Sequence, residues 1–496
     1  MNQPPVAKHT LRANRLYANP NRDINQELRS EFQRDLDRLL YTTYFRRLAR
    51  VTQVSATVQH HGKSDPYGLI HNRLTHSLKV GQVARRLCQY LLRDAEVSGG
   101  KSNLEGIEKN GGIDPNVAEV AGRAHDIGHP PFGHLGEEIL DEIAVSRGLE
   151  DGFEGNAQTF RVLATLVRRV PVVALEKPRH LPAANAAMGS LDLTAASLAA
   201  CVKYPWPRGG NPNKPKKWGF FEPDRDVFLS QVQPLLNDGR PTLEAQIMDW
   251  ADDITYATHD IEDFAANGRI PLPNLQHTYD ARGNLVPINP EETDEFLSYV
   301  RVKLTKKESF EFDEAVREFR EFATLFPSRI RYGHPADMAV LGALTSQLIT
   351  STSKATSVRP DGNLEIKRAS IGLVEILKQL TWFYVIDSPE MASVQRGQRR
   401  RFKRVATDLV NWALDVFRTE VEGPDGSRRK LSLDEIKARR VVLPELLRSL
   451  VSAAVDANEY HGIYPGRPDL AVVRGTIDYI ASLTEDEVEN LHDELF

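Results

Sequence analysis

Residues Ala124–His134 read AHDIGHPPFGH: three histidines, an aspartate and two glycines in eleven positions. One apolar run ends where the stretch begins and another starts just after it, so the polar cluster sits at a turn between two helices. Asp114-Pro115 supplies an N-cap and a first-turn proline for the helix that leads into it. The dipeptide His-Asp recurs at His259-Asp260 and His492-Asp493 without such surroundings, so the pair alone carries little information.

Outward from the turn, helical periodicity dominates and alternating runs are few, which predicts an all-α protein. Helices are expected at 29–50, 74–93, 135–147, 155–169, 193–203 and 223–235. A long one runs from the N-cap Thr242 to a terminating Gly268. Ser98–Gly112, rich in glycine, reads as a flexible surface loop, and 270–295, rich in Pro, Asn and Gly, as a connector. Beyond it, helices are expected at 335–350, 369–384, 390–418, 443–456, 468–483 and 485–495, the last opened by a Thr484–Glu487 capping box. The organisation expected is a core over 1–270 and a helical C-terminal region over 271–496 that packs on it and contributes oligomer contacts.

The 496 residues are 41% hydrophobic and 26% charged, an ordinary globular composition with material for a large core. A formal charge of −5 excludes a globally basic polyanion binder. Cys88 and Cys201 are the two cysteines, too few for a disulfide framework or a thiolate zinc site. The N-terminal residues lack a signal-peptide core and no uninterrupted apolar run approaches a membrane span, so the expectation is a cytoplasmic protein with no membrane partner.

Metal-assisted hydrolysis requires neutral imidazoles and carboxylates that leave coordination positions open. His125 and Asp126 lie where a helix ends and the chain turns through Gly128. His76 shares the inward face of helix 74–93 with Val80 and Val83, one turn after Arg73. On the long helix, Asp252, Tyr256 and Asp260 fall at i, i+4 and i+8 and form one line, whereas Asp253 is turned away by about 100°. Singly, each has a bland alternative: a buried histidine is more often a satisfied core group, and helical acids usually face solvent.

Six blocks occur in succession: RLARVTQ (Arg47–Gln53), NRLTHSL (Asn72–Leu78), AHDIGHPPFGHLGE (Ala124–Glu137), FEGNAQTFR (Phe153–Arg161), CVKYPW (Cys201–Trp206) and ADDITYATHDIED (Ala251–Asp263). Over about residues 20–270 this series resembles the HD-domain deoxynucleoside triphosphate triphosphohydrolases, the dGTPase family. The resemblance implies an HD-domain helical core and hydrolysis of a dNTP, dGTP first among them, to deoxynucleoside and inorganic triphosphate by water attack at the α-phosphorus. It makes His76, His125, Asp126 and Asp252 ligands of one divalent ion (Mn2+, Mg2+, Co2+ or Fe2+). Arg73 then neutralises phosphate charge, and His134, oriented by Glu137, is the general acid. His129 contacts phosphate or shares the proton transfer, and which of His129 and His134 donates is left open. Tyr256 lies against the deoxyribose, and Asp260 with Gln53 bonds the 3′-hydroxyl. Other nucleotides, or a catalytically silent binding protein, are the alternatives.

Residues 396–404, RGQRRRFKR, hold six Lys or Arg in nine positions. They read either as a solvated or oligomer-facing surface, or as a polyphosphate or single-stranded nucleic-acid site with Phe402 stacking and Lys214, Lys216 and Lys217 assisting. The resemblance adds a homo-oligomer, tetramer or hexamer, and an effector dNTP or single-stranded DNA.

Overall fold

Close helix packing explains much of the architecture. The computed structural model describes residues 8–16, 28–53, 71–97, 101–167, 190–305, 307, 309–331, 334–422 and 427–496. Among the described residues the chain is all-α apart from three short antiparallel hairpins, β1 (His277–Tyr279) with β2 (Leu285–Pro287), β3 (Thr356–Val358) with β4 (Leu364–Ile366), and β5 (Glu420–Glu422) with β6 (Arg428–Lys430).

The first half contributes α1 (Glu31–Leu40), α2 (Thr43–Arg47), α3 (Arg73–Val97), α4 (Lys101–Lys109), α5 (Pro115–Ala124), α6 (Gly133–Ser146), α7 (Gly155–Arg161), α8 (Ala195–Ala200) and α9 (Leu243–Ala266). The second contributes α10 (Pro290–Leu304), α11 (Phe312–Phe322), α12 (Pro335–Lys354), α13 (Arg368–Thr381), α14 (Pro389–Val416), α15 (Glu445–His461), α16 (Pro468–Ala481) and α17 (Glu485–Leu495). Caps read from the sequence are present: Asp114 accepts from Asn116 N–H, Thr242 from Ala245 N–H, and Thr484 forms a reciprocal box with Glu487.

Helices α3 and α5 cross at Gly81 and Gly122. A Cβ on Gly122 would lie 2.7 Å from Gly81 Cα, so only paired glycines allow this approach. The crossing brings the start of α3, with Arg73 and His76, beside the end of α5, with His125. Helix α9 packs along both. One core joins α3 and α9 to α10, α11 and α13, with Leu87, Trp250, Ile254, Phe296, Phe319 and Leu377 buried together. A second joins α6 to α14, α15 and α16. Residues on both sides of position 270 thus share interiors.

Several local expectations give way to tertiary packing. The glycine-rich stretch after position 100 is helix α4 rather than a loop, while 98–100 lie outside the described residues. Asn103 there donates to Asp94 and accepts from Val358 N–H at 2.7 Å, and a Cβ on Gly106 would meet Arg359 O at 2.2 Å. Glycine in this helix serves close approach of the β3–β4 hairpin. The connector 270–295 holds a short helix, Leu272–Leu275, the β1–β2 hairpin and the first turn of α10. Helices α10 and α11 were not expected, because acidic residues dilute the apolar spacing of Phe296, Val300, Ala315 and Phe319. The expected helix 29–50 breaks after Leu40, where Thr42 caps a new start by accepting from Phe45 N–H. The expected helix 223–235 is a series of short helical turns, the last of them Gln233–Leu235, which contains Pro234 with no backbone donor. Positions 168–169 of the helix expected at 155–169 lie outside the described residues. Arg368–Ile386 is apolar and long enough to cross a membrane by composition alone, yet 56% of that window is buried, packed as part of the first core.

Candidate metal centre and active site

The turn after α5 folds back on itself for identifiable reasons. Gly128 lies against α7, where a Cβ would come within 2.1 Å of Thr159 N, and its own N–H donates to Thr159 Oγ1. Pro130 and Pro131 then stiffen the exit, and Phe132 takes a left-handed conformation, φ 64°, as it enters α6. That geometry costs a non-glycine residue roughly 1–2 kcal/mol, so the surroundings must hold it. The Phe132 ring meets Phe402 edge-on at 5.6 Å.

His76, His125 and Asp126 present ligand atoms within 4.8 Å of one another, all buried. Asp252 Oδ1 lies 3.1 Å from His76 Nε2 and 3.5 Å from His125 Nε2, which brings the fourth sequence candidate to the same point. His125 Nδ1 donates to Gly122 O at 2.7 Å, a contact that leaves the Nε2 lone pair free to ligate. Two imidazoles and two carboxylates aimed at one point fit a divalent cation. Asp253 is the other way round: its carboxylate accepts from Lys378 at 2.7 Å.

The electrostatics agree with a cation site. Burial opposes charge on His125, but Asp126 and Asp252 prevail and push it up to about 9. Burial likewise opposes ionisation of Asp126, and Arg73, hydrogen-bonded to it, with the neighbouring histidines holds it well below the usual carboxylate range.

A second cluster adjoins the first. His129 lies 3.3 Å from Asp126 through Nδ1 and 3.3 Å from Glu137 through Nε2, while His134 Nδ1 donates to the other oxygen of Glu137 at 2.9 Å. His129 is buried, and burial pushes it down to about 4, so it is neutral at pH 7. His134 is exposed, its side chain 75% accessible, and the bond to Glu137 raises its pKa. His129 Nδ1 and Glu137 Oε1 are buried and make no hydrogen bond.

The Asp252-Tyr256-Asp260 line continues away from the cluster. Burial, then Asp263, raises the Asp260 carboxyl well above its usual range, and its Oδ2 is buried without a partner. Gln53 has its Oε1 buried and unpaired. Among the described residues no hydrogen bond joins Gln53 to Asp260, so their convergence on one hydroxyl is untouched by the geometry.

Sequence reasoning missed four groups here. Lys217 donates to Glu154 at 2.8 Å and lies 3.9 Å from Glu137, so it belongs beside the HD turn and not with the distant basic segment. Lys203, in the CVKYPW block, pairs with Asp249. Arg47 donates to His129 O at 2.6 Å, and Glu485 accepts from Phe132 N–H at 3.2 Å. Only the folded chain brings these close; the blocks that contain Arg47 and Lys203 do not name their partners, and Lys217 and Glu485 belong to no block.

The HD domain family model matches residues 73–257. The chain is 34% identical to a deoxyguanosinetriphosphate triphosphohydrolase-like protein of Corynebacterium efficiens over 402 residues, 76% of this chain and 80% of the relative. It is 30% identical to the protein of that name from Streptomyces coelicolor over 478 residues, 94% of this chain and 92% of the relative. A second such protein of Vibrio cholerae is 32% identical over 266 residues, 54% of each.

Proposed function

The chain belongs to the HD-domain family of deoxyguanosinetriphosphate triphosphohydrolase-like proteins, and from that premise we propose that this metal-dependent phosphohydrolase cleaves a dNTP, dGTP first among them, to deoxynucleoside and inorganic triphosphate. The observation that carries the proposal is the convergence of His76, His125, Asp126 and Asp252, joined through the 3.3 Å contact of Asp126 with His129 to an acid–base pair, His134 and Glu137.

His76, His125, Asp126 and Asp252 would hold a divalent ion, which when bound would supply an activated water and positive charge for attack on phosphorus. Arg73, already bonded to Asp126, adds charge to the phosphates from the side of α3. Lys217 extends that charge towards Glu137. Breaking the bond between the α-phosphorus and the 5′-oxygen leaves an alkoxide that needs a proton. His134 is exposed, held through Nδ1 by Glu137, and so carries its Nε2 proton outward as the donor. His129, buried and neutral, serves as a hydrogen-bond partner to phosphate rather than as the acid. Tyr256 offers its ring to the deoxyribose, and Asp260 and Gln53 carry unspent acceptor oxygens for the sugar hydroxyl.

The test is product analysis. Purified protein is incubated with Mn2+, Mg2+, Co2+ or Fe2+ and each dNTP and rNTP, alone and in mixtures, and products are resolved by ion exchange. Triphosphate with deoxynucleoside supports the proposal, whereas pyrophosphate, orthophosphate or no product with any combination rejects it. Activity on a different nucleotide establishes the alternative substrate, and a bound but intact nucleotide the silent binder.

The basic segment supports a second, separate reading. Arg396, Arg399, Arg400, Lys403 and Arg404 line an open groove of about 720 Å³ with Phe496 at its edge. Phe402 cannot stack on a ligand as the sequence suggested, because it is fully buried at helical spacing with Val405 and Leu409. Phe496, under the Arg404 guanidinium at 3.8 Å, is the aromatic group present instead. A phosphate-bearing effector, dNTP or single-stranded DNA, fits this charge. Binding that does not weaken as salt rises rejects the groove as its cause. The proposed homo-oligomer, tetramer or hexamer, is tested by light scattering.

A further inference from the structure

The C-terminal helix lies outside the segment matched by the family model, which ends at residue 257, yet it touches the HD turn. Glu485 is the first residue of α17, and a carboxylate there is ordinarily explained by the helix dipole. Its Oε1 does something more specific. It accepts from Thr52 Oγ1 at 2.6 Å, from Thr52 N–H at 3.2 Å and from Phe132 N–H at 3.2 Å. A single oxygen thereby ties the segment that carries Gln53 to the left-handed residue between His129 and His134.

The Phe132 amide is a donor at the N-terminal edge of α6, where helix geometry provides no acceptor. A second tie runs in parallel. The Arg47 guanidinium donates to Leu483 O at 2.9 Å from Nε and to His129 O at 2.6 Å from Nη2. Residues 483–485 are therefore tied to the turn on both sides of the Pro130-Pro131 pair, to His129 through Arg47 and to Phe132 directly through Glu485. His134 is exposed, and its ring is hydrogen-bonded to Glu137, so where that ring stands depends on the backbone of Phe132 and Gly133.

We infer that Glu485 is a positioning residue for the reaction proposed above: by holding the Phe132 amide and Thr52 it sets the backbone from which His134 reaches the leaving oxygen. The inference rests on that reading for the role of His134, but its structural half can be read without turnover.

The experiment is amide hydrogen exchange of the full chain, resolved at 129–134, with steady-state kinetics on the same samples. Wild-type Phe132 N–H is expected to be protected. In Glu485→Ala, exchange at Phe132 and Gly133 accelerates at least about tenfold, and kcat falls about 10- to 100-fold with KM within about twofold. Glu485→Gln retains an acceptor oxygen and restores protection and most of kcat. Asp486→Ala, one position on and exposed, removes the same helix-end charge and leaves both readouts as in wild type. An unprotected Phe132 amide in wild type overturns the inference, even if Glu485→Ala does not fold. Equal effects of Glu485→Ala and Asp486→Ala also overturn it, because the helix dipole then accounts for both. A wild-type protein that hydrolyses no dNTP rejects the functional reading, while exchange still decides whether Glu485 holds the turn.

Discussion

Asp252 Oδ1 stands 3.1 Å from His76 Nε2 although 176 positions separate the two residues in the chain. Its neighbour Asp253 points to Lys378 instead, so adjacent acids on one helix serve different partners.

Asp252→Ala is therefore expected to abolish turnover and to weaken Mn2+ binding by more than the roughly 10- to 100-fold that loss of an outer-shell partner costs. Asp253→Ala keeps the ion and loses about 1 kcal/mol or less, since its carboxylate is about one-third exposed and Lys378 retains Glu375 at 3.3 Å. Calorimetric Mn2+ titration of both variants decides. Equal metal loss rejects the separation of the two faces.

Metal binding should expel a proton. His125 in the ion-free protein is pushed up to about 9 by Asp126 and Asp252, so it is charged at pH 7.5 or so, and only its neutral form ligates. Apparent affinity then rises with pH, about tenfold per unit for one coupled proton, and levels off near pH 9. Titrations in buffers of different ionisation heat should show about one proton released; a heat independent of buffer is the contrary result.

His134→Ala should lower kcat by about 10²–10⁴ while Mn2+ occupancy stays full. A general acid works below its pKa and stops working as pH rises through it. Glu137 raises the pKa of His134, so Glu137→Gln moves the alkaline limb of the kcat/KM profile to lower pH. An unmoved limb assigns the proton to another group.

Two glycines should respond with opposite sign. A Cβ at Gly128 would press on the backbone of α7, 2.1 Å from Thr159 N and 2.5 Å from Gly155 O, so Gly128→Ala is expected to cost about 3 kcal/mol and to disrupt the HD turn. Gly342 lies inside α12 with nothing within 4 Å of a Cβ, and Gly342→Ala should stabilise by about 0.5–1 kcal/mol. Urea midpoints of the two variants compare them directly.

What the sequence determined by itself was local. Helical period set the all-α class; capping residues at Asp114, Thr242 and Thr484 marked starts that the structure reproduces; and the i, i+4, i+8 line separated Asp252 from Asp253 before any contact was visible. The histidine and aspartate candidates were nameable because imidazole and carboxylate chemistry is carried by residue type, and the six-block resemblance ordered them. Tertiary structure decided the rest. Glycine at 106 reads as flexibility in a string of letters and is close packing in space, since only the folded chain brings Arg359 against it. Phe402 reads as exposed among arginines and is buried, because helical spacing turns it away from them. Lys217 and Glu485 carry no pattern of their own, and the block that contains Arg47 does not name its partner; Glu485 is 353 positions from Phe132, and a carboxylate's partner at that separation is set by how helices pack. Periodicity reports which face of a helix is wet, whereas the meeting of two distant faces depends on the summed packing of every element between them.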